Sequence, residues 1–175
     1  MKNGGFLLLG LTLAQFSAAC GGGAAAADTA GGAATAAIEG TTYAVGDVRL
    51  AFEPGGDGYF RIEGTDARHP GDDCLPGLGG GLALYGGVPD TVDSLADLSG
   101  RELPFEFSGD GDDFNLCFVG SNGLLGVETG TVSFGAVAGN AVTFRFTGDF
   151  TRFDGEGGES QSTVRASGSG TATVE

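Results

Sequence analysis

Between residues 142 and 151 apolar and polar side chains alternate. Val142, Phe144, Phe146 and Phe150 share one parity, and Thr143, Arg145, Thr147, Asp149 and Thr151 share the other. A period of two marks a strand with one buried and one wet face. Gly139-Asn140 separates this run from Thr131-Val132-Ser133-Phe134, which alternates in the same way, so the two predict a hairpin. After a turn at 154–160 comes a last strand, 163–174. There Val164, Ala166, Ala172 and Val174 face in, and Thr163, Arg165, Ser167, Thr171 and Thr173 face out. Its small residues and two glycines predict a weak strand at a sheet edge.

Shorter strands are predicted at 42–52, 59–64, 82–85, 103–107 and 114–119. In the last of these, Phe114, Leu116 and Phe118 share a parity, which turns Cys117 to the opposite face. Helical spacing is confined to 90–98, where Asp90 offers a cap and Val92, Leu95 and Leu98 repeat at three, enough for a turn or two. No Gly-rich phosphate loop follows a strand and opens a helix, so the glycines read as turns and bulges. The pattern predicts a single all-β domain, an antiparallel sandwich or barrel of about eight strands with one short helical segment. Ile38-Glu39-Gly40-Thr41 recurs as Ile62-Glu63-Gly64-Thr65, but nothing around it repeats.

The first twenty residues follow a different pattern. Lys2 supplies a positive start. The run 6–16 is apolar except for Thr12 and Gln15. It is too short to span a bilayer as a helix, which takes about 20 apolar residues, and it suits the apolar region of a cleavable export signal. Ser17-Ala18-Ala19-Cys20 follows. This stretch resembles the lipobox of bacterial lipoprotein precursors, with Ser17 standing where Leu is usual. The resemblance covers the N-terminus only. It implies that the Cys20 thiol receives a diacylglyceryl group, that the signal 1–19 is cut away, and that the new amino terminus is acylated, with palmitate. Gly21, where inner-membrane lipoproteins tend to carry Asp, implies an outer-membrane destination. Plain secretion is the alternative, since Ser17-x-Ala19 also meets the small-x-small rule for ordinary signal cleavage.

Residues 21–37 carry one charge and no large apolar side chain. They cannot offset the entropy of ordering, so 20–37 reads as the lipidated Cys and a flexible tether with an r.m.s. span of about 23 Å. The globular domain is then 38–175, long enough for one real core.

Net charge narrows the partners. Lys2 is the one lysine, so the mature chain sets seven arginines against 23 acidic residues. That balance argues against nucleic acid and against electrostatic docking on anionic lipid. It suits a hydrated surface, an envelope protein or glycan partner, or cation binding. Of three cysteines, lipidation takes Cys20, and in an oxidising compartment Cys74 and Cys117 read as one disulfide. It would pin the 66–81 loop across the outside of the sheet. A zinc site on Cys74, Cys117 and His69 is the rival, and it lacks a fourth ligand.

The densest acidic cluster is Asp110-Gly111-Asp112-Asp113. With Asp72 or Asp73, and Asp66 and Asp57 nearby, it is a candidate calcium site, although the spacing departs from an EF-hand loop after Asp-x-Asp. The competing reading is a solvated turn. Glu63, Glu102, Glu106 and Glu128 are the carboxylates that an envelope carbohydrate hydrolase would draw on. His69 lies in an Arg-His-Pro-Gly loop, with no Gly-x-Ser-x-Gly elbow to serve. Leu75, Leu78, Leu82, Leu84 and Tyr85 form either core or an apolar lip. No catalytic signature emerges. The expectation is a lipid-anchored envelope module that binds or supports, with a calcium-dependent binder and a hydrolase as alternatives.

Overall fold

A computed structural model describes residues 31–75, 78–106, 114–121, 123–153 and 159–175. The alternation at 142–151 belongs to the middle one of three long strands. β9 (Leu124–Ala138), β10 (Ala141–Phe153) and β11 (Glu159–Val174) form an antiparallel meander, with Phe146 opposite Val132 on one side and Gly168 on the other. Ahead of them come β1 (Gly32–Ile38), β2 (Thr41–Glu53), β3 (Tyr59–Asp66), β6 (Gly81–Gly87), β7 (Glu102–Phe105) and β8 (Leu116–Cys117). β4 (Asp73–Leu75) and β5 (Leu78–Gly79) make a small separate hairpin.

The sheet closes on itself in the order β10-β11-β1-β2-β3-β6-β8-β9, with β9 returning to β10. The result is an eight-stranded antiparallel barrel. β8 and β7 share one slot end to end. β8 pairs with β9 at Leu125, β7 pairs with β9 at Gly130 to Ser133, and Tyr85 of β6 bridges to Glu106 just past β7. An eight-stranded barrel has an interior just wide enough for side chains to fill. Here Leu50, Phe60, Ile62, Leu84, Leu116, Leu125 and Phe150 are among the fully buried residues that fill it. Phe60 meets Phe134 edge-on at 5.2 Å, and Phe105 sits 6.0 Å from Phe150.

The two mouths differ. At the lower one, where β1 begins and β11 ends, the 88–101 segment crosses the opening and buries Val92 and Leu98. Its helical portion is a single 3-10 turn, Leu95–Leu98, preceded by Ser94 in extended conformation. At the upper mouth Tyr43 stacks on Phe118 with ring centroids 4.7 Å apart.

Three expectations need correction. Residues 32–37 are not tether: they belong to β1, hydrogen-bonded to β11 on one side and β2 on the other. Ala34 and Ala36 offer little apolar area, but two long neighbours satisfy the backbone of a strand that could not stand alone. β11 is not an edge strand, because barrel closure removes edges and places it between β10 and β1. Many glycines are not turns. Phe60, Phe105 and Phe146 stand directly opposite Gly86, Gly130 and Gly168, and a Cβ at each glycine would collide with the facing ring. Small residues across from large ones fit aromatic rings into a narrow barrel.

Candidate functional site

Asp66 ends β3 as a buried carboxylate. Its Oδ1 accepts the backbone N–H groups of Arg68 (3.0 Å) and His69 (3.3 Å), and its Oδ2 accepts that of Val119 at 3.3 Å. These bonds fold the chain back at 66–72 and tie it to the segment beyond β8. The Ala67 N–H donates to the Ala44 carbonyl, and the Asp66 N–H to that of Gly80. The strap so formed lies across Cys117, which is bonded to Cys74 with Cα atoms 5.9 Å apart. Cys117 is fully buried although it faces outward from the barrel, because the strap covers it. The disulfide takes both thiols from the zinc alternative.

Asn115 serves the neighbouring junction. Its Nδ2 donates to the carbonyls of Ala83 (3.0 Å) and Glu106 (3.3 Å), and its Oδ1 accepts the Val127 N–H at 2.7 Å. Where β7 gives way to β8 the backbone ladder is interrupted, and this one amide joins β6, the end of β7 and β9. Buried polar groups tolerate such a place only when satisfied, as Asn115 is.

Among the described residues the predicted chemistry is dispersed. Asp66 is committed to backbone amides. Asp72 and Asp73 are exposed, Asp72 standing 3.5 Å from His69 Nδ1. Asp110, Asp112 and Asp113 lie outside the described residues, as do Cys20 and residues 1–19. Among the described residues no three His, Cys, Asp or Glu side chains gather as a metal site. The four glutamates sit on the outer wall with different occupations. Glu63 pairs with Arg61, Glu102 accepts the Ser133 hydroxyl at 3.3 Å, and Glu128 accepts that of Thr151. Glu106 is exposed beside Tyr85. Leu82 and Leu84 are core, and Leu75 is half-buried. The side chain of Leu78 lies outside the described residues.

The outer wall is polar. Thr143, Arg145, Thr147 and Asp149 of β10 and Arg165, Ser167 and Ser169 of β11 are exposed. An open groove of about 410 Å³ runs over Thr131, Ser133, Arg145, Thr147 and Ser169. A second, also about 410 Å³, lies over Arg49, Glu63, Thr65, Ala83 and Phe114. At its margin, hydrogen bonding and charge from Asp47, with help from Glu175, hold the Arg49 guanidinium above its ordinary value.

Two aromatic side chains lie side by side on the outer wall of β3 and β6. Tyr85 is 41 % exposed, the exposed large apolar side chain of the described residues. Tyr59 lies diagonally across from it with ring centroids 5.9 Å apart. Strand parity carries the signal for both, since Tyr59, Arg61 and Glu63 alternate with buried Phe60 and Ile62, but an outward aromatic is recognised only once its neighbour across the sheet is known. Comparison with protein-family models, with characterised proteins and with solved structures finds no match for this chain.

Proposed function

We propose that this chain is a lipid-anchored protein of the bacterial cell envelope whose barrel binds an envelope partner through its outer wall. The observation that carries the reading is the sidedness of the barrel. Phenylalanine, leucine and valine fill the inside, while threonine, serine, arginine and carboxylates cover the outside. A membrane-spanning barrel is built the other way, apolar outward and polar inward. A barrel of this kind stands in water, and its filled interior leaves the wall and the loops for recognition.

The anchor reading adds a point of attachment. Cys20 precedes Gly32 by eleven intervening residues, a chain that reaches at most about 40 Å when extended. β1 starts at the lower mouth, so an anchor at Cys20 attaches the barrel by that end. Several acyl chains on one residue anchor stably where one would not. Gly21 fits retention in the outer membrane.

Fractionation tests the reading. The wild-type chain is expected in the membrane fraction, released by detergent but not by salt, and Cys20→Ala in the soluble fraction. Equal distribution of the two proteins would refute the anchor.

A further inference from the structure

Resting on the binding-module reading, we propose that the Tyr59–Tyr85 wall docks a cationic, arginine- or lysine-bearing peptide segment of another envelope protein. Each ring has a carboxylate as its cross-strand neighbour. Glu53 of β2 stands opposite Tyr59, and Glu106 stands opposite Tyr85. Both carboxylates are exposed, and neither forms an ion pair with a described residue. Arg61 stands directly opposite Tyr85 on β3, and its guanidinium is paired with Glu63.

An aromatic face with a carboxylate beside it is complementary to a guanidinium or ammonium, which the ring attracts through its quadrupole and the carboxylate through its charge. Gly87 lies opposite Tyr59, and the space above it is open, so a partner backbone can approach the wall there. The chain's formal charge of −15 steers cations toward it. A neutral sugar would desolvate Glu53 and Glu106 without returning a charged partner, and an anionic headgroup would be repelled. Buried aromatic and arginine anchors supply most of the energy in protein interfaces, and this wall offers the aromatic half.

The test titrates the full chain in detergent with a synthetic Arg-Gly peptide and with the same peptide carrying Glu for Arg. Neutral oligosaccharides and a short-chain zwitterionic phospholipid serve as further probes. The wild type is expected to bind the Arg peptide alone. Tyr85→Ala should weaken binding by about tenfold or more. Glu106→Gln should weaken it severalfold, and Asp149→Asn, which removes the same charge from β10, should leave it unchanged. Gly87→Arg, whose solvent-facing site leaves the core intact, should abolish it. Equal losses for Glu106→Gln and Asp149→Asn, or no loss for Tyr85→Ala, would reduce the effect to general attraction and overturn the proposal. Tyr85-dependent binding of the sugar or the phospholipid would overturn the peptide assignment and leave the module reading intact. Absence of binding by the Arg peptide would overturn the peptide assignment, and absence of any partner in native membranes besides would overturn the module reading as well.

Discussion

Phe146 stands directly opposite Gly168 across β10 and β11, and a Cβ at 168 would collide with the Phe146 ring and with the Thr35 carbonyl of β1. The ring occupies the space that a side chain on β11 would take. The prediction is that Gly168→Ala destabilises the barrel by about 1–3 kcal/mol, the usual cost of overpacking. Gly87→Ala, also in a strand but facing open space, should change stability by no more than about 0.5 kcal/mol. Denaturant midpoints of the two variants provide the comparison. Equal effects would mean that the Phe–Gly pairing does not govern the packing.

A second prediction concerns Asp66. Its carboxylate accepts three backbone amides, one of them 53 positions away at Val119. Asp66→Asn puts an N–H group where an acceptor is required and leaves a buried donor unmatched. The expected loss is about 1–3 kcal/mol, with faster hydrogen exchange at Val119 than in the wild type. Unchanged exchange at Val119 would show that the tie contributes nothing.

The disulfide acts on the same strap from its other side. Cys74→Ser should cost about 2–5 kcal/mol and should expose Cys117, now a free thiol, to alkylation. Mass spectrometry of unreduced wild-type peptides should find Cys74 linked to Cys117. Two freely alkylated thiols in protein from native envelopes would contradict the pairing.

The sequence pattern carried the hairpin of β9 and β10, because Val142, Phe144, Phe146 and Phe150, with Val132 and Phe134 across from them, alternate with polar residues. It carried the Cys74–Cys117 pairing once Cys20 was set aside. It did not carry β1. An Ala-Thr strand has almost no amphipathic contrast, and its stability resides in β2 and β11. The central place of β11 was hidden for a related reason. Gly168 and Gly170 weaken a strand in isolation, and their value appears only beside the Phe146 ring and the Ala33–Ala34 stretch of β1. Asn115 was equally silent, since a polar residue between Phe114 and Leu116 reads as an ordinary outward position of an alternating strand until the branch between β7 and β8 is known. Asp66 was legible as an acid but not as an acceptor for three amides. Which backbone donors surround a carboxylate depends on contacts distant in sequence.

A pH effect follows from the 3-10 turn. Ser94 Oγ donates to Asp97 at 2.7 Å, and that bond, ahead of smaller backbone contributions and the Arg101 charge, lowers the Asp97 carboxyl below its ordinary value. A depressed folded value means that the contribution is complete above the unfolded carboxylate range near about 3.9 and is lost as pH falls through the folded value. Ser94→Ala should move the Asp97 titration upward, read by NMR of its side-chain carbonyl. An unmoved titration would assign the shift to the backbone instead.

The most direct test of an envelope-anchored barrel is the mass of the N-terminal peptide of the protein taken from native membranes. The account predicts a mature chain that begins at Cys20 and carries a diacylglyceryl group with an acylated amino terminus. A soluble chain that begins at or after Cys20 without lipid mass would contradict it.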